Sequence, residues 1–210
     1  MDIFLIRHGR TAWNAQGLFQ GGRDIPLDET GRAQAEAMAE RAAVIPFSAI
    51  WSSPLSRAGE TAAVLARKKG LRVRVQEGLS EIRHGKWEGL KVDVVARRWP
   101  RLYRLWRETP QKVVMPGGES LEDVQVRSLK AMEEVSSCNV DPVAVVSHDA
   151  VLKVLLCAWL GLPLSGFWRF ELANASITGV RLNQDGVTLF LLGDIFWSDS
   201  PFNREVQLSL

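Results

Sequence analysis

The stretch Ile3–Thr11 (IFLIRHGRT) joins an apolar run directly to an arginine and a histidine. Four bulky apolar residues followed by polar residues and a glycine are typical of a buried strand that ends at the rim of a sheet. Arg7 and His8 would then lie at the carboxyl end of that strand, where open α/β sheets bind their ligands. A cation beside a titratable nucleophile indicates a site for an anionic substrate, although a surface pair closing an edge strand would give the same local pattern.

Strand-like and helix-like segments alternate along the rest of the chain. The patterns predict strands over 49–52, 73–75 and 143–146, and a hairpin between residues 170 and 192 that turns at Gln184-Asp185-Gly186. They predict helices over 29–44, 57–69, 92–107 with a break at Pro100, 150–160, and one that follows Ser120. This alternation predicts an α/β fold with three layers, α/β/α. We expect one domain over residues 1–210, with a lid-like helical insertion at about 90–118.

Bulk composition excludes several classes of protein. The chain has 210 residues, of which 46% are hydrophobic, so it can bury one substantial core. A net charge of +2 is too small to indicate a nucleic-acid partner. The apolar runs are too short to span a membrane, and the first residues do not have the pattern of a signal peptide. Two cysteines without metal-ligand spacing indicate neither a disulfide framework nor a zinc site, so we expect a cytoplasmic protein.

Two segments keep more than one interpretation. Five arginines share the segment 97–107 with Trp99 and Trp106, and this pattern favours a solvated helix face over a lid for an anionic ligand. The tail 194–210 carries Phe196, Trp197 and Phe202, which could cover the site, dock on the core or mediate self-association. The sequence therefore leaves a homodimer open.

Six motifs in order give the sequence a resemblance to the histidine phosphatase superfamily, which is also called phosphoglycerate-mutase-like. The first is Arg7-His8-Gly9-x-Thr11 with Asn14, and the matches cover nearly the whole chain to about residue 160. The others are the loop 20–27 (QGGRDIPL), the second arginine motif 52–62 (SSPLSRAGETA), the acid motif 81–89 (EIRHGKWEG), the loop 116–120 (PGGES) and the second-histidine strand 145–148 (VVSH).

The resemblance implies a mostly parallel central sheet and an enzyme that transfers the phosphoryl group of a small-molecule phosphate monoester without a cofactor. His8 would attack phosphorus, and Glu81 would protonate the leaving alcohol. Arg7, Arg57 and His148 would hold the nonbridging oxygens. The positions expected to bind substrate are Asn14, Gln20, Gly21, Arg83 and Asp149.

The proposed chemistry requires particular protonation states. His8 must be neutral to attack phosphorus, and Glu81 needs a pKa above about 4.3 to act as an acid, which apolar neighbours such as Trp87 could provide. Read without the resemblance, Glu81 would be an exposed loop carboxylate. His148 would then be equally well explained as a strand-end histidine satisfied by the backbone.

The sequence also supports predictions for His84 and Asp149. His84 is expected to face water, and the three histidines lack the paired spacing of a metal site, so no metal is expected. Asp149 stands where the family commonly has glycine. Its carboxylate could repel a phosphate dianion or cap the helix that begins at Ala150, and capping is the favoured interpretation.

Three functions fit these residues. A small phosphatase, resembling α-ribazole, broad-specificity or phosphoserine phosphatases, is favoured because the stretch between Gly89 and Pro116 is compact. A cofactor-dependent phosphoglycerate mutase, which generally has a longer insertion there, comes second. A binding scaffold without catalysis comes third, since no catalytic residue of the family is missing.

Overall fold

The computed structural model describes residues 1–195, and these residues contain a central sheet of six strands. In chain order the strands are Asp2–Arg7 (β1), Ala49–Ser52 (β2), Val73–Val75 (β3), Val143–Ser147 (β4), Ile177–Asn183 (β5) and Gly186–Asp194 (β6). The spatial order is β3-β2-β4-β1-β5-β6. The first four strands in this order run parallel, and β5 and β6 pair antiparallel to their neighbours.

Helices cover both faces of the sheet. They are Ala12–Ala15 (α1), Glu29–Arg41 (α2), Ser56–Lys69 (α3), Val92–Arg98 (α4), Pro100–Glu108 (α5), Leu121–Ser137 (α6) and Asp149–Trp159 (α7). Short 3₁₀ turns lie at Ala42–Val44, Glu77–Leu79, Gly85–Trp87, Pro110–Lys112 and Leu164–Arg169.

The side chains of β1 and β4 alternate between two hydrophobic cores, as strand geometry requires. Phe4 and Ile6 pack with residues of α2 and α3 on one face. Ile3 and Leu5 pack with residues of α6 and α7 on the other face. Every residue of β4 is buried, which fits a parallel strand covered on both faces. The predicted three-layer α/β/α fold with a mostly parallel sheet is confirmed.

Local signals account for several element boundaries. Asp28 accepts a hydrogen bond from the Gly31 amide and so begins α2. Gly70, in the left-handed conformation, ends α3. Pro100 divides the predicted helix over 92–107 into α4 and α5, and the turn at Gln184-Asp185 joins β5 to β6.

The helical segment between Gly89 and Pro116 has a buried side and a solvated side. Val95 and Trp106 are buried in the core that contains α6 and α7. Arg107 lies over the Trp168 ring, 4.3 Å from its centre. The five arginines of this segment are exposed, in agreement with a solvated face: Arg97, Arg98, Arg101, Arg104 and Arg107.

Within residues 1–195, no helix is both long enough and apolar enough to cross a membrane. The expectations for Phe196, Trp197 and Phe202 fall outside the described residues.

Candidate active site

The candidate site lies at the carboxyl ends of three neighbouring parallel strands. Arg7 pairs with Ser147 in the register of β1 and β4, so His8 and His148 follow at the same edge of the sheet. Their rings lie 5.0 Å apart between centroids. Ser53, directly after β2, places its hydroxyl 2.7 Å from His148 Nε2. Residues distant in sequence thus converge because the sheet aligns the ends of their strands.

His8 is buried and neutral, with one ring nitrogen already committed. Its Nδ1–H donates to the Gly9 carbonyl at 2.7 Å, which leaves the Nε2 lone pair free for chemistry. Burial lowers the pKa of His8 well below its usual 6.5, and the charges of Arg57 and Arg7 lower it further. Both effects disfavour the imidazolium form, so the neutral imidazole is present at ordinary pH.

Two buried arginines face this histidine. Arg7 donates through Nη1 to the Leu172 carbonyl at 2.5 Å. Arg57 donates to the carbonyls of Arg23 at 2.7 Å and Gly21 at 3.0 Å. The Nε atoms of Arg7 and Arg57 are buried and have no hydrogen-bond partner among residues 1–195. Burial lowers the pKa of Arg57 to about 10, so it remains charged at neutral pH.

Glu81 is buried at the same cleft rather than exposed on its loop. One carboxylate oxygen accepts from the Ile82 amide at 2.8 Å. Burial raises the pKa of Glu81 above its ordinary 4.5, although the Ile82 hydrogen bond and the charges of Arg57 and Arg7 act against this. A carboxylic acid with a raised pKa is a group that can donate a proton near neutral pH.

A clamp that the sequence did not reveal holds the loop carrying Glu81. Arg127, on α6, donates to the carbonyls of Gly78 at 2.8 Å, Ser80 at 2.6 Å and Glu81 at 3.1 Å. Its Nε also donates to Glu119 Oε1 at 3.0 Å. Three carbonyls on one guanidinium hold the loop backbone from which the Glu81 side chain extends.

A further part of the cleft wall comes from α1 and the loop that follows it. Asn14 Oδ1 accepts from the amide of Thr11 at 3.1 Å, and the Thr11 hydroxyl donates to Gln20 Oε1 at 2.9 Å. Gly21 has a φ of +56°, and a Cβ there would meet the Glu88 carboxylate at 2.3 Å. A side chain at Gly21 would therefore be strained by the left-handed backbone conformation, and the Glu88 carboxylate would have to move to make room for it.

Asp149 does not cap its helix, so the capping prediction is wrong. The helix begins at Asp149 itself, and His148 occupies the cap position without a side-chain hydrogen bond. The Asp149 carboxylate instead lies 3.4 Å from Arg7 Nη1 and 2.7 Å from Lys153 Nζ. Two buried cations attract the carboxylate into the cleft, and this outweighs a cap.

His84 also differs from expectation, because it is buried rather than turned to water. Its ring makes edge contacts with Phe19 at 5.0 Å and Trp106 at 6.2 Å between centroids. Burial lowers the pKa of His84 to about 3, so the ring is neutral. Its Nδ1 is buried and lacks a hydrogen-bond partner in the described part of the chain. Arg83, by contrast, has an exposed side chain 3.7 Å from Glu119 and does not line the cleft.

Together these groups line a cleft that is open to solvent. The lining contains most of the residues predicted from the sequence, and it also contains Leu18 and His84, which were not predicted to bind substrate. His148 does not line the cleft but lies behind His8, with the two ring centres 5.0 Å apart. The lining residues are Arg7, His8, Asn14, Leu18, Gln20, Gly21, Arg57, Glu81, His84 and Asp149. No cluster of three or more metal-ligating side chains occurs within residues 1–195. Sequence reasoning also missed Lys153, whose only signal was its position one helical turn after Asp149.

The fold and cleft define an α/β protein with two buried arginines beside a neutral histidine at the ends of parallel strands. Residues 3–195 match the Histidine phosphatase superfamily (branch 1), and the chain belongs to this family. Phosphoserine phosphatase 1 of Hydrogenobacter thermophilus is 38% identical over 185 residues, which cover 88% of each protein. A probable phosphoglycerate mutase GpmB of Cronobacter sakazakii is 32% identical over 218 residues and 99% of each protein. The α-ribazole phosphatase structure from Shigella flexneri superposes with a TM-score of 0.84 at 27% identity, covering 92% of this chain and 96% of that one.

Proposed function

We propose that this protein is a phosphatase that hydrolyses a small-molecule phosphate monoester through a phosphohistidine on His8. The observation that carries the proposal is a buried, neutral His8 whose Nδ1–H is held by Gly9 and whose neighbours are Arg7 and Arg57. Membership of the histidine phosphatase superfamily supports it. Phosphate monoesters react very slowly unaided, so a nucleophile, fixed positive charge and a proton donor are all required.

In the first half-reaction, the Nε2 lone pair of His8 attacks phosphorus. The bond between phosphorus and the ester oxygen breaks, and Glu81 gives its proton to the leaving alcohol. The product is an N-phosphorylated imidazolium whose Nδ1–H still donates to the Gly9 carbonyl. That hydrogen bond strengthens as positive charge develops on the ring.

In the second half-reaction, the Glu81 carboxylate takes a proton from water. The water oxygen attacks phosphorus, the phosphorus–nitrogen bond breaks, and its electron pair returns to Nε2 of His8. Inorganic phosphate leaves, and both residues regain their starting protonation states. One residue can serve as acid and then base because its pKa is raised towards neutrality by burial.

Fixed donors stabilise the charge on the phosphoryl oxygens throughout. We assign this role to Arg7, Arg57, the Asn14 amide and His148. Asn14 Oδ1 is occupied by Thr11, which leaves its Nδ2 group to donate to a ligand. The Ser53 hydroxyl already accepts from the Leu55 amide at 3.2 Å, so we assign it as the donor to His148 Nε2. This places the neutral His148 proton on Nδ1, which has no partner within residues 1–195.

Hydrolysis is favoured over mutase activity. The relative with 38% identity is named a phosphoserine phosphatase, and a compact pair of helices, α4 and α5, occupies the segment in which mutases generally carry a longer insertion. The relative named as a probable phosphoglycerate mutase keeps isomerisation as the second candidate. We also propose a cytoplasmic location, since Cys138 and Cys157 are both unpaired.

The decisive experiment compares phosphate release from a panel of monoesters with isomerisation of 3-phosphoglycerate in the presence of its bisphosphate primer. We expect release to outrun isomerisation and to disappear with His8→Ala, while circular dichroism shows an unchanged fold. The exposed Cys138→Ser variant serves as the control and should retain full activity. Isomerisation that outruns release would establish a mutase, and activity that survives His8→Ala would exclude the phosphohistidine mechanism.

A further inference from the structure

A buried charge network extends from the cleft into helix α7. Asp149 is 5% exposed and Lys153, one turn later, is 0% exposed. The Asp149 carboxylate lies 2.7 Å from Lys153 Nζ through one oxygen and 3.4 Å from Arg7 Nη1 through the other. The carboxylate therefore bridges a cleft arginine and a buried lysine that itself lies outside the cleft lining.

Three neighbouring groups counteract the cost of burying the Lys153 ammonium. Its ammonium lies 5.2 Å from the centre of the Phe167 ring and 5.0 Å from that of Trp168, distances at which aromatic rings attract a cation. Burial lowers the pKa of Lys153, and the Asp149 carboxylate acts against that change. An ammonium buried this deeply is retained only when it is paired, and here the partner is Asp149.

The position of Asp149 creates an electrostatic problem for the proposed reaction. A carboxylate that lines a phosphate cleft repels the dianion, and burial strengthens the repulsion because little water screens it. The same carboxylate is useful, because its contact with Arg7 orients the guanidinium. A second cation behind the carboxylate would remove the repulsion and keep the orientation.

We propose that Lys153 is a positioning residue of the phosphate site, which neutralises Asp149 so that Asp149 can hold Arg7 without repelling the substrate dianion. The inference rests on the proposed phosphatase function. It assigns to Lys153 an effect on phosphate affinity without contact with the substrate. A purely structural lysine would affect the stability of α7 and leave phosphate affinity unchanged.

The test measures the inhibition constant of inorganic phosphate, together with KM and kcat separately, in variants that change the charge of the pair. Lys153→Met and Lys153→Gln both remove the cation, and two variants are used so that poor folding of one does not decide the outcome. Each should raise the phosphate inhibition constant and KM by about tenfold or more, because the carboxylate is then uncompensated.

A second substitution that neutralises Asp149 provides the specific readout. Asp149→Asn keeps an oxygen for Arg7 but removes the negative charge, so in that background the loss of Lys153 should no longer weaken phosphate binding. The double variant Asp149→Asn/Lys153→Met should return the inhibition constant to within about threefold of wild type, since adjacent charges are not additive. Cys157→Ala, one turn further along the same buried helix, is the control for packing and should lower the melting temperature without changing phosphate affinity.

The outcomes separate this inference from the proposed function. A wild-type protein that neither binds phosphate nor releases it from any monoester would contradict the function itself. A wild-type enzyme that binds phosphate, with Lys153 variants of unchanged inhibition constant, would overturn the role of Lys153. The role of Lys153 would also be overturned if Asp149→Asn failed to restore phosphate binding in a Lys153 variant. The weaker binding would then not arise from the charge of Asp149.

Discussion

At the scale of single residues, the cleft is defined by cations and histidines that the fold has removed from water. His8 stays neutral because burial and two guanidinium groups both disfavour its imidazolium form. Arg57 is 0% exposed, and its Nη1 and Nη2 atoms donate hydrogen bonds to the carbonyls of Arg23 and Gly21. Under the proposed mechanism, such preorganised charge needs no rearrangement when a phosphoryl group binds, and fixed charge of this kind is usually the largest source of transition-state stabilisation.

We expect Arg57→Ala to lower kcat/KM by about 100-fold, or about 2.7 kcal/mol, the loss typical of one preorganised donor to a developing charge. The measurement is steady-state kinetics with the monoester that the panel identifies. Arg32→Ala is the control. Arg32 forms an ion pair with Glu60, and its side chain is 54% exposed. Because exposed ion pairs contribute little, its removal should change kcat/KM by less than about twofold. A loss below about tenfold for Arg57→Ala would contradict direct contact with phosphate.

At the scale of elements, helix α2 supports the loop that follows β1. Gly31, in the first turn of α2, lies against this loop so closely that a Cβ would stand 1.9 Å from the Arg10 carbonyl oxygen. Gly9, directly after His8, is equally restricted, with its own Cβ position 2.4 Å from the Gly31 carbonyl oxygen. Two glycines therefore permit the contact between helix and loop that fixes His8.

Gly31→Ala should destabilise the protein by about 3 kcal/mol and lower kcat, because the added methyl group pushes against the backbone of the loop carrying His8. Gly59→Ala is the matched change inside helix α3, where a Cβ would meet nothing within 4 Å. It should raise stability by about 0.5–1 kcal/mol and leave kcat unchanged. Thermal unfolding and kinetics of the pair provide the measurement, and equal behaviour of the two variants would refute the close-packing argument.

At the scale of the whole molecule, three buried neutral histidines make stability depend on pH. The pKa values of His8 and His148 are well below 6.5, and that of His84 is about 3, in each case chiefly because of burial. Each histidine binds a proton in the unfolded chain below pH 6.5 but not in the folded protein. Their contribution to stability is therefore complete above the unfolded pKa and is lost as pH falls towards the folded pKa. Glu81, whose pKa is raised, acts in the opposite direction.

We expect the free energy of unfolding to fall on acidification from about pH 7.5 to about pH 5.5, each histidine contributing at most about 1.4 kcal/mol per pH unit below its unfolded pKa. Urea unfolding at several pH values measures this slope. His84→Gln should reduce the slope by one histidine's share, which approaches about 1.4 kcal/mol per pH unit only at the acidic end of this range. An unchanged slope in that variant would contradict a neutral, buried His84.

The sequence determined the strand and helix order, because apolar runs, Gly70, Pro100 and Asp28 act on their immediate neighbours. It also indicated most of the cleft, since ordered motifs put Arg7, His8 and Arg57 at the ends of strands and the start of a helix. These features are local in the chain, or follow from the rule that parallel strands end at one edge.

Only the tertiary structure decided which polar groups are buried together. Asp149 turned to Arg7 and Lys153 instead of capping α7, and His84 turned inward against Phe19. The clamp of Arg127 on the Glu81 loop joins residues 46 positions apart. Desolvation and ion pairing depend on neighbours brought by distant parts of the chain, and no pattern within one segment of sequence contains them.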